Sequence, residues 1–528
     1  MKKKFYVTTP IYYANALPHV GHANSSFIAD FYARMKRLLW YEVKFSTWMD
    51  ENGQKMAEKA QSQWKEVMEF LDEIYEGSLQ LWKDLEISYT DFIRTTQEDH
   101  KQFVQEVIKK IAAKKEGNPD IYEGKYQGLY CVGCEASKNE RDLTEDWLCP
   151  DHLKKPIEIS ETNFFFNLKK YAPLFEKLWE ENPSFVDPVT RFNEVKAFIR
   201  SGLEDFSISR ENKNGIGIPF PLGENQVVYV RFDALFNYIT VCYRNGENGK
   251  FRDDDTYILH VMGKDIVKFH ATYRPAMLQS AGYRLPDKEF VTGYLTVDGQ
   301  KMSKTIGNVI DPVQVSKDYD RDALLFYLFY DVPVGADGDF SRERFKGTWE
   351  KMLIGGRGNF VNRVASLGKK YGITHGKFDA KRFTAFKKDE KFDLLDLIEH
   401  FNQEQFENRY LEHADLKDLV EDWYVIVQLA NEYITVAEPR KKYKEESTQQ
   451  EAIEDLEFLL WVIKQLGLLS SGILIHGFEK LKVILGNEAI SKLDSTKNNQ
   501  ESDFSALLGL EEFEVNLDPQ ILYERKEG

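Results

Sequence analysis

The sequence has no long hydrophobic run, few cysteines and no excess of positive charge, and each absence argues against a class of protein. No apolar stretch approaches the roughly 18 residues of a membrane-spanning helix. The start, MKKKFYVTTP, is basic but lacks a signal-peptide core, so we expect a cytoplasmic protein with no membrane partner. Four cysteines in 528 residues exclude a disulfide scaffold. A formal net charge of −16 argues against nonspecific coating of nucleic acid, although basic segments at 368–372 and 439–444 leave RNA binding open.

The length and the hydrophobic patterning indicate several domains. A strand at 4–14, a helix at 23–39 and a strand at 43–47 predict a βαβ unit, and strands at 227–232 and 257–263 are predicted to resume its sheet. We therefore predict an α/β fold: a doubly wound parallel-sheet (Rossmann-like) catalytic domain with a zinc-knuckle insertion and a C-terminal α-helical bundle. The predicted boundaries are 1–115 for the first half of the catalytic domain, 116–226 for the connective insertion, 227–345 for the second half with its KMSKT loop, 346–470 for the bundle and 471–528 for a tail.

A histidine-rich turn follows the first predicted strand. In PHVGH, at 18–22, His19 and His22 lie three residues apart beside Gly21 and directly before the helix. Backbone amides at a helix N-terminus, together with imidazole donors, suit an anionic ligand such as phosphate. Taken alone the motif is weak evidence, because two histidines can also simply cap a turn.

A lysine-bearing segment far downstream strengthens this interpretation. The stretch TGYLTVDGQKMSKTIG, at 292–307, contains KMSKT, in which Lys301 and Lys304 enclose Ser303. Mobile lysines can stabilise the charge that moves between phosphate groups during a displacement. The two elements together favour a nucleotide triphosphate far more strongly than either one, for which a solvated surface is the ordinary interpretation.

Three of the four cysteines cluster with a histidine. Cys131 and Cys134 are followed, after fourteen residues, by Cys149 and His152. Three thiolates and one imidazole at this spacing are typical of a closed tetrahedral zinc site, which leaves no coordination position for a substrate. We therefore predict a structural Zn²⁺ in the insertion, and the alternative is a site that has lost its metal.

These motifs resemble those of one enzyme family. PHVGH and KMSKT resemble the HIGH and KMSKS signatures of class I aminoacyl-tRNA synthetases, and PIYYAN, DENGQK, DFSISR, DALFNY and GKDI resemble methionyl-tRNA synthetases in particular. The similarity extends over essentially the whole chain, to DPQILYER at 518–525. It implies that L-methionine and ATP form methionyl-adenylate, and that the methionyl group then passes to the 3′ end of tRNA(Met).

The resemblance also implies roles for individual residues. The residues implied at ATP and its Mg²⁺ are His19, Gly21, His22, Lys301, Ser303 and Lys304, of which the histidines and lysines would be catalytic. The residues implied at methionine are Ile11, Tyr13, Asp50, Arg231, Ala234, Tyr238, Ile266 and His270. Among these, Asp50 would hold the substrate ammonium group. The residues implied at the anticodon are Asn359, Arg363 and Arg440. Without the resemblance, core packing or surface polarity would explain most of these positions.

Five residues depart from the family pattern in a shared direction. The family has tryptophan where this chain has Arg231, Arg274 and Arg440, and glycine where it has Trp40 and Trp48. A buried guanidinium is costly unless paired, and an indole suits poorly the backbone conformations that glycine serves. We hypothesise that some codons translated as arginine encode tryptophan in this gene, and that some translated as tryptophan encode glycine.

The sequence leaves two other functions open. A class I synthetase for another amino acid would share the phosphate motifs, and a genuine Arg231 in the pocket would favour it. A noncatalytic tRNA-binding relative would keep the fold, although the intact histidines and lysines argue against it. Asn52, where the family has histidine, puts in doubt only the hydrogen bonding of its loop. No C-terminal oligonucleotide-binding module of the kind that some relatives use to dimerise is recognisable, so we expect a monomer.

Overall fold

The computed structural model describes residues 3–114, 117–131, 136–138, 143–150, 153–212, 216–302, 307–333, 335–387, 393–412, 416–498 and 504–525. The strands are β1 Lys4–Thr8, β2 Tyr12–Tyr13, β3 Glu42–Asp50, β4 Asp91–Arg94, β5 Ile121–Cys131, β6 Ala136–Lys138, β7 Ile157–Phe166, β8 Val186–Asp187, β9 Phe206–Ser207, β10 Ser209–Glu211, β11 Gln226–Val228, β12 Thr256–Gly263, β13 Lys288–Thr292, β14 Leu295–Val297, β15 Gln300–Lys301, β16 Gly338–Phe340, β17 His375–Lys377 and β18 Glu512–Glu514.

The α-helices are α1 Val20–Leu38, α2 Gln54–Ser62, α3 Val67–Asp84, α4 Glu98–Ala112, α5 Ala172–Glu181, α6 Val189–Arg200, α7 Val230–Thr240, α8 Arg274–Ala281, α9 Pro312–Asp318, α10 Arg321–Asp331, α11 Arg342–Thr348, α12 Asn359–Tyr371, α13 Ala380–Lys387, α14 Asp393–Glu399, α15 Gln403–Phe406, α16 Leu416–Ala437, α17 Pro439–Lys442, α18 Gln449–Leu469, α19 Ile475–Leu485, α20 Glu488–Ser491 and α21 Phe504–Gly509. Turns of π-helix lie at Phe269–Tyr273, Trp349–Gly358 and Glu407–Glu412, and 3-10 turns lie at Lys169–Tyr171 and Arg244–Gly246. None of these helices, within the described ranges, is long and apolar enough to cross a membrane.

A parallel sheet forms the centre of the catalytic domain. Its strands run in the order β2, β3, β1, β12, β13, β8, with β4 beside β3, and every pairing is parallel. Side chains alternate across the sheet, so Phe5 and Val7 pack in the core that contains α1, whereas Tyr6 packs in the opposite core with α4, α7 and α8. Helices on both faces confirm the predicted doubly wound architecture.

Two details of the sheet differ from the prediction. Residues 227–232 do not resume it: β11 pairs antiparallel with β10 outside the large sheet, and Val230 already begins α7. The prediction was wrong because a short apolar run fits a buried strand and a buried helix equally well. The edge strand β8 comes from within the predicted insertion, and its two residues give no periodic signal of their own.

The insertion is otherwise built on an antiparallel sheet. The long strands β5 and β7 pair from Ile121 with Phe166 to Tyr130 with Ile157, and β6 and β9 flank them. The apolar segment at 161–168, ETNFFFNL, overlaps the last six residues of β7 and extends two residues past its end. Because β5 ends at Cys131, the sheet carries the first predicted zinc ligand at one of its ends.

Helices follow α10 almost to the end of the described chain. Within the predicted bundle, apolar residues recur at helical spacing in 346–367, 417–434 and 450–466. These segments form α11 and α12 with the π-turn between them, α16, and α18. Beyond 470, where the sequence predicts only a tail, α19 to α21 pack on the same core, and β18 pairs with β17 through Phe513 and Gly376. These last residues belong structurally to the bundle.

A charged cluster ties the bundle to the catalytic domain. The imidazole of His476, in α19, lies 2.8 Å from Asp320 and 2.5 Å from Glu86. Hydrogen bonds to these two carboxylates raise the pKa of His476 to about 10. Asp320, Asp322 and His476 form a group in which one side-chain ligand atom of each residue lies within 4.8 Å of the others. With its pKa raised in this way, the imidazole is positively charged at neutral pH, and the cluster is an ion-paired joint between the bundle and the catalytic domain.

Candidate active site

Two histidines cap the helix that follows the first strand. His19 is the N-cap residue of α1, and its Nδ1 accepts a hydrogen bond from the N–H of Gly21 at 3.1 Å. The Nδ1 of His22 accepts one from the N–H of His19, also at 3.1 Å. Because both Nδ1 atoms accept, each neutral ring carries its proton on Nε2. The ring centroids lie 4.0 Å apart, so two N–H donors stand together at a helix N-terminus.

The environment keeps His22 uncharged. Burial, followed by the proximity of His19, lowers the pKa of His22 to about 3. The edge of Tyr12 faces the His22 ring, and the Tyr12 hydroxyl donates to the His22 carbonyl at 3.1 Å. His22 is therefore a fixed neutral donor near pH 7, and its contribution to an anion site is directional hydrogen bonding at the positive end of α1.

The lysine-bearing loop begins and ends beside this turn. The Cε of Met302 lies 3.4 Å from the point that a methyl group on Gly21 would occupy. On the far side of the loop, the carbonyl of Ile310 accepts a hydrogen bond from the N–H of Val20 at 3.2 Å. The backbone of Lys301 pairs with Thr296, whereas Ser303 and Lys304 lie outside the described residues. The described flanks thus bring the two predicted phosphate motifs to one place.

Asp50 lies at the carboxyl end of β3, where parallel sheets of this type bind ligands. Its side chain is buried, and its carbonyl accepts a hydrogen bond from Ala14 at 2.9 Å. In the sheet register it pairs with Tyr13, whose ring is covered by the ammonium group of Lys55 at 4.6 Å. A carboxylate at this edge of the sheet is suitably placed to hold a substrate cation.

A tyrosine and a histidine form the buried wall of the predicted methionine pocket. The hydroxyl of Tyr238 donates to Nε2 of His270 at 2.8 Å, because Nδ1 of His270 donates to the carbonyl of Ile266 at 3.0 Å. Burial, with a smaller effect of Arg274, lowers the pKa of His270 to about 3. Backbone of Ile11 also hydrogen-bonds Tyr238, and Ala234 lies one helical turn before it in α7. The wall is therefore neutral and suits an apolar side chain.

The two arginines predicted to disturb this region are accommodated in different ways. The guanidinium of Arg231 stacks on the ring of Phe269 at 3.8 Å. That of Arg274 is fully buried, lies 4.4 Å above the Tyr238 ring, and contacts His260 at 2.8 Å and Glu289 at 3.3 Å. Burial outweighs this contact and raises the pKa of Glu289 to about 8. Arg274 is therefore held by these contacts, but its Nε and the Oε2 of Glu289 are buried with no hydrogen-bond partner among the described residues, so the compensation that a buried cation requires is incomplete.

Two contributions to the site were missed by the sequence analysis. Trp48 is fully buried, donates from Nε1 to the carbonyl of Thr9 at 3.1 Å, and meets the ring of Tyr238 at 4.8 Å. Asn52, expected to weaken its loop, instead donates to Asp233 at 2.6 Å and joins that loop to α7. Neither contact has a local sequence signal, since each joins residues from distant parts of the chain.

A groove in the helical bundle brings two predicted anticodon residues together. Arg363 of α12 and Arg440 of α17 both line it, with Asn362 and Ser366, and its volume is about 630 Å³. Asn359 is exposed at the start of α12, one turn before Arg363. Arginines in an open groove suit unstacked bases and phosphates of a single-stranded RNA loop.

Half of the predicted zinc ligands lie within the described residues. Cys131, at the end of β5, and Cys149 are both buried, whereas Cys134 and His152 fall outside the described ranges. The Cys149 N–H donates to the carbonyl of Lys154, and the Cys149 carbonyl accepts from the N–H of Leu153, so backbone hydrogen bonds fix this residue on both sides. Buried thiols on a turn fit a structural thiolate site.

Known proteins match this chain in sequence and in structure. The family described as tRNA synthetases class I (M) matches residues 5–155 and 145–365. A methionine–tRNA ligase of Thermotoga maritima is 43% identical over 70% of the chain and 58% of the relative, and one of Thermosynechococcus vestitus is 39% identical over 84% and 83%. The structure of Mycobacterium tuberculosis methionyl-tRNA synthetase with methionyl-adenylate superposes with a TM-score of 0.88 at 30% identity, covering 99% of this chain and all of that one.

Proposed function

This chain belongs to the class I tRNA synthetases, and from that membership we propose that it is a methionine–tRNA ligase. It activates L-methionine with ATP and transfers the methionyl group to the 3′ end of tRNA(Met). One observation supports this most strongly. The histidine turn at the start of α1 and the flanks of the lysine-bearing loop meet at the edge of the sheet where Asp50 ends β3.

In the first step a carboxylate oxygen of methionine attacks the α-phosphorus of ATP. The bond between that phosphorus and the bridging oxygen breaks, and pyrophosphate leaves with the charge. The Nε2–H groups of His19 and His22 and the amides of α1 stabilise this charge, while Lys301 and Lys304 hold the departing phosphates. Mg²⁺ accompanies ATP and neutralises part of its charge. The protein positions the reactants and needs no nucleophile of its own.

In the same step Asp50 holds the ammonium group of methionine. The neutral wall of Tyr238, His270 and Ile266 receives the thioether side chain, with Ile11 and Ala234 beside it. Arg231 and Tyr13 complete the predicted set at this end of the sheet. In the second step a ribose hydroxyl at the tRNA 3′ end attacks the methionyl carbonyl, and AMP leaves.

Charging of tRNA tests this function. We expect the protein to form methionyl-tRNA from methionine, ATP and a tRNA(Met) transcript, and to leave a transcript with a changed CAU anticodon largely uncharged. Binding of tRNA without charging would instead support the noncatalytic relative. The function implies the cytoplasm as the compartment, and a single copy of the chain contains every proposed residue, which supports a monomer.

The groove predicts a selective effect on tRNA. Replacing Arg363 with alanine should raise KM for tRNA(Met) by about tenfold, because a base or phosphate contact of this kind is worth roughly 1–3 kcal/mol. The rate of methionine-dependent pyrophosphate exchange should not change, since the groove is remote from ATP. Arg440→Ala should act in the same direction. Lys370→Ala, on the same helix but outside the groove, is the matched control, and an equal effect of that variant would contradict the assignment.

Zinc content tests the proposed metal site, which Cys131, Cys134, Cys149 and His152 would form. When bound, zinc supplies structural cross-linking of the insertion. We expect one zinc per chain by elemental analysis, and close to none in Cys149→Ser. Cys242→Ser is the control, because burial raises the pKa of the Cys242 thiol to about 12 and keeps it from acting as a thiolate. Undiminished zinc in Cys149→Ser would exclude that ligand.

A further inference from the structure

Three tryptophans have the backbone conformation that glycine serves. The φ angle is +68° at Trp40, +57° at Trp64 and +61° at Trp147. In this left-handed region the Cβ atom of an L-residue crowds its own backbone, so bulky residues rarely adopt it. The chain has nine tryptophans, yet they supply three of the ten non-glycine residues with positive φ in the described ranges. Four of the other seven are asparagine or aspartate, which tolerate the region.

Two of the three tryptophans terminate helices in the manner of a C′ glycine. At the end of α1 the N–H of Trp40 donates to Arg37 at 3.1 Å, and the next N–H, of Tyr41, reaches back to Lys36 at 2.9 Å. This pair of bonds is the Schellman motif, whose C′ residue is usually glycine.

The same motif recurs with tryptophan at the end of α2 and with glycine elsewhere. The N–H of Trp64 donates to Gln61 at 3.0 Å, and that of Lys65 donates to Ala60 at 3.1 Å. The helices α8 and α12 end with the same two bonds, and there the C′ residues are Gly282 and Gly372. Trp40 and Trp64 therefore stand in the position that α8 and α12 give to glycine, and at the end of α3 Glu86 stands in the same position.

The three tryptophan side chains are exposed to different degrees, and that of Trp64 gives almost no compensating burial. Trp64 is 96% exposed, Trp147 50% and Trp40 39%. Glu86 also has a positive φ, but its side chain has a structural role there: the carboxylate contacts His476 at 2.5 Å. The indole of Trp64 lies almost wholly in water at a strained backbone position, where large apolar side chains are rarely found.

We propose that residues 40, 64 and 147 are glycine in the protein as its own cells make it, because their shared codon, UGA, is read there as glycine. The family pattern suggests this for Trp40, whereas positions 64 and 147 are assigned by backbone conformation alone. Trp48 does not have a positive φ, so the backbone does not assign it. None of the three residues lies among those proposed to bind substrates, so the inference is independent of the proposed function.

Five other tryptophans are expected to be tryptophan in the protein made by its own cells. All five lie in helical segments at ordinary φ, and each is buried: Trp82, Trp179, Trp349, Trp423 and Trp461. These should have the codon UGG, which specifies tryptophan. We therefore expect UGG at the five buried positions and UGA at positions 40, 64 and 147. A UGG codon at 40, 64 or 147 would overturn the inference.

Peptide mass spectrometry of the protein purified from its own cells reads the residues directly. We expect glycine at 40, 64 and 147 and tryptophan at the five buried positions. Each replacement lowers the peptide mass by the difference between an indolylmethyl group and a hydrogen atom. Tryptophan at any of the three positions would overturn the proposal.

Thermal unfolding of the recombinant chain tests separately whether glycine suits these backbone positions better than tryptophan. Trp64→Gly should raise Tm by about 2 °C, because it relieves the left-handed strain without loss of packing. Trp64→Ala is the matched control: it removes the same indole but keeps a Cβ atom, so it should raise Tm less. Trp179→Gly, at a buried helical position, should lower Tm. A fall in Tm for Trp64→Gly would contradict the premise.

Discussion

Replacing His22 with alanine is expected to lower kcat for methionine-dependent ATP–pyrophosphate exchange by about 10² to 10³-fold, the effect of losing one preorganised donor to developing charge. The structure fixes this donor in advance, since the His19 N–H holds Nδ1 and leaves the proton on Nε2. KM for methionine should change little, because the imidazole acts on the phosphates. Stopped-flow or exchange assays of the variant measure the loss.

The pH profile and a second variant distinguish hydrogen-bond donation by a neutral His22 from stabilisation by a positively charged one. Because the pKa of His22 is lowered to about 3, it should cause no inflection in kcat between about pH 5 and 8. An imidazolium with an ordinary pKa would instead lose activity as pH rises through about 6.5. The variant His22→Gln retains a side-chain N–H donor and should recover part of the rate. Wild-type activity in His22→Ala would contradict the role.

Replacing Asp50 with asparagine is expected to raise KM for methionine by about 10²-fold or more. Truncating one partner of a buried charge pair costs about 2–5 kcal/mol, and the buried Asp50 carboxylate is the proposed partner of the ammonium group. KM for ATP should be nearly unchanged, because the carboxylate does not contact the phosphates in this account. Pyrophosphate exchange at varied methionine concentration measures the shift.

An exposed carboxylate on the same domain provides the control for Asp50. Asp254 is fully exposed, so Asp254→Asn should leave both KM values unchanged. Methionine analogues give a second comparison, since a substrate without the amino group should bind wild type and Asp50→Asn equally. If Asp50→Asn bound methionine normally, the ammonium group would have to be held elsewhere.

The parts of this architecture that could be predicted from the sequence are those with local signals. The helix α1 and the long helices of the bundle have periodicity over many residues, and the structure confirms them, whereas the strand predicted at 4–14 is divided into β1 and β2. The strand predicted at 227–232 lacked such a signal, and the helical alternative proved correct. The two-residue strand β8 could not be predicted, because its pairing with β13 depends on the completed sheet.

The same distinction between local signals and features of the completed fold applies to the candidate site. Motifs identified His19, His22 and Asp50, but the mutual capping of the histidines depends on a turn geometry that residue types do not specify. The convergence of Arg363 and Arg440 on one groove joins helices distant in the sequence. The roles of all the site residues stay predictions, and Lys304, Cys134 and His152 also lie outside the described residues.

Amino-acid-dependent pyrophosphate exchange by the wild-type chain tests whether this site makes methionyl-adenylate. We predict exchange that requires ATP, Mg²⁺ and methionine, with leucine, cysteine and isoleucine giving a small fraction of the methionine rate. Faster exchange with another amino acid than with methionine, or none with any amino acid by a protein that still binds tRNA, would contradict the account.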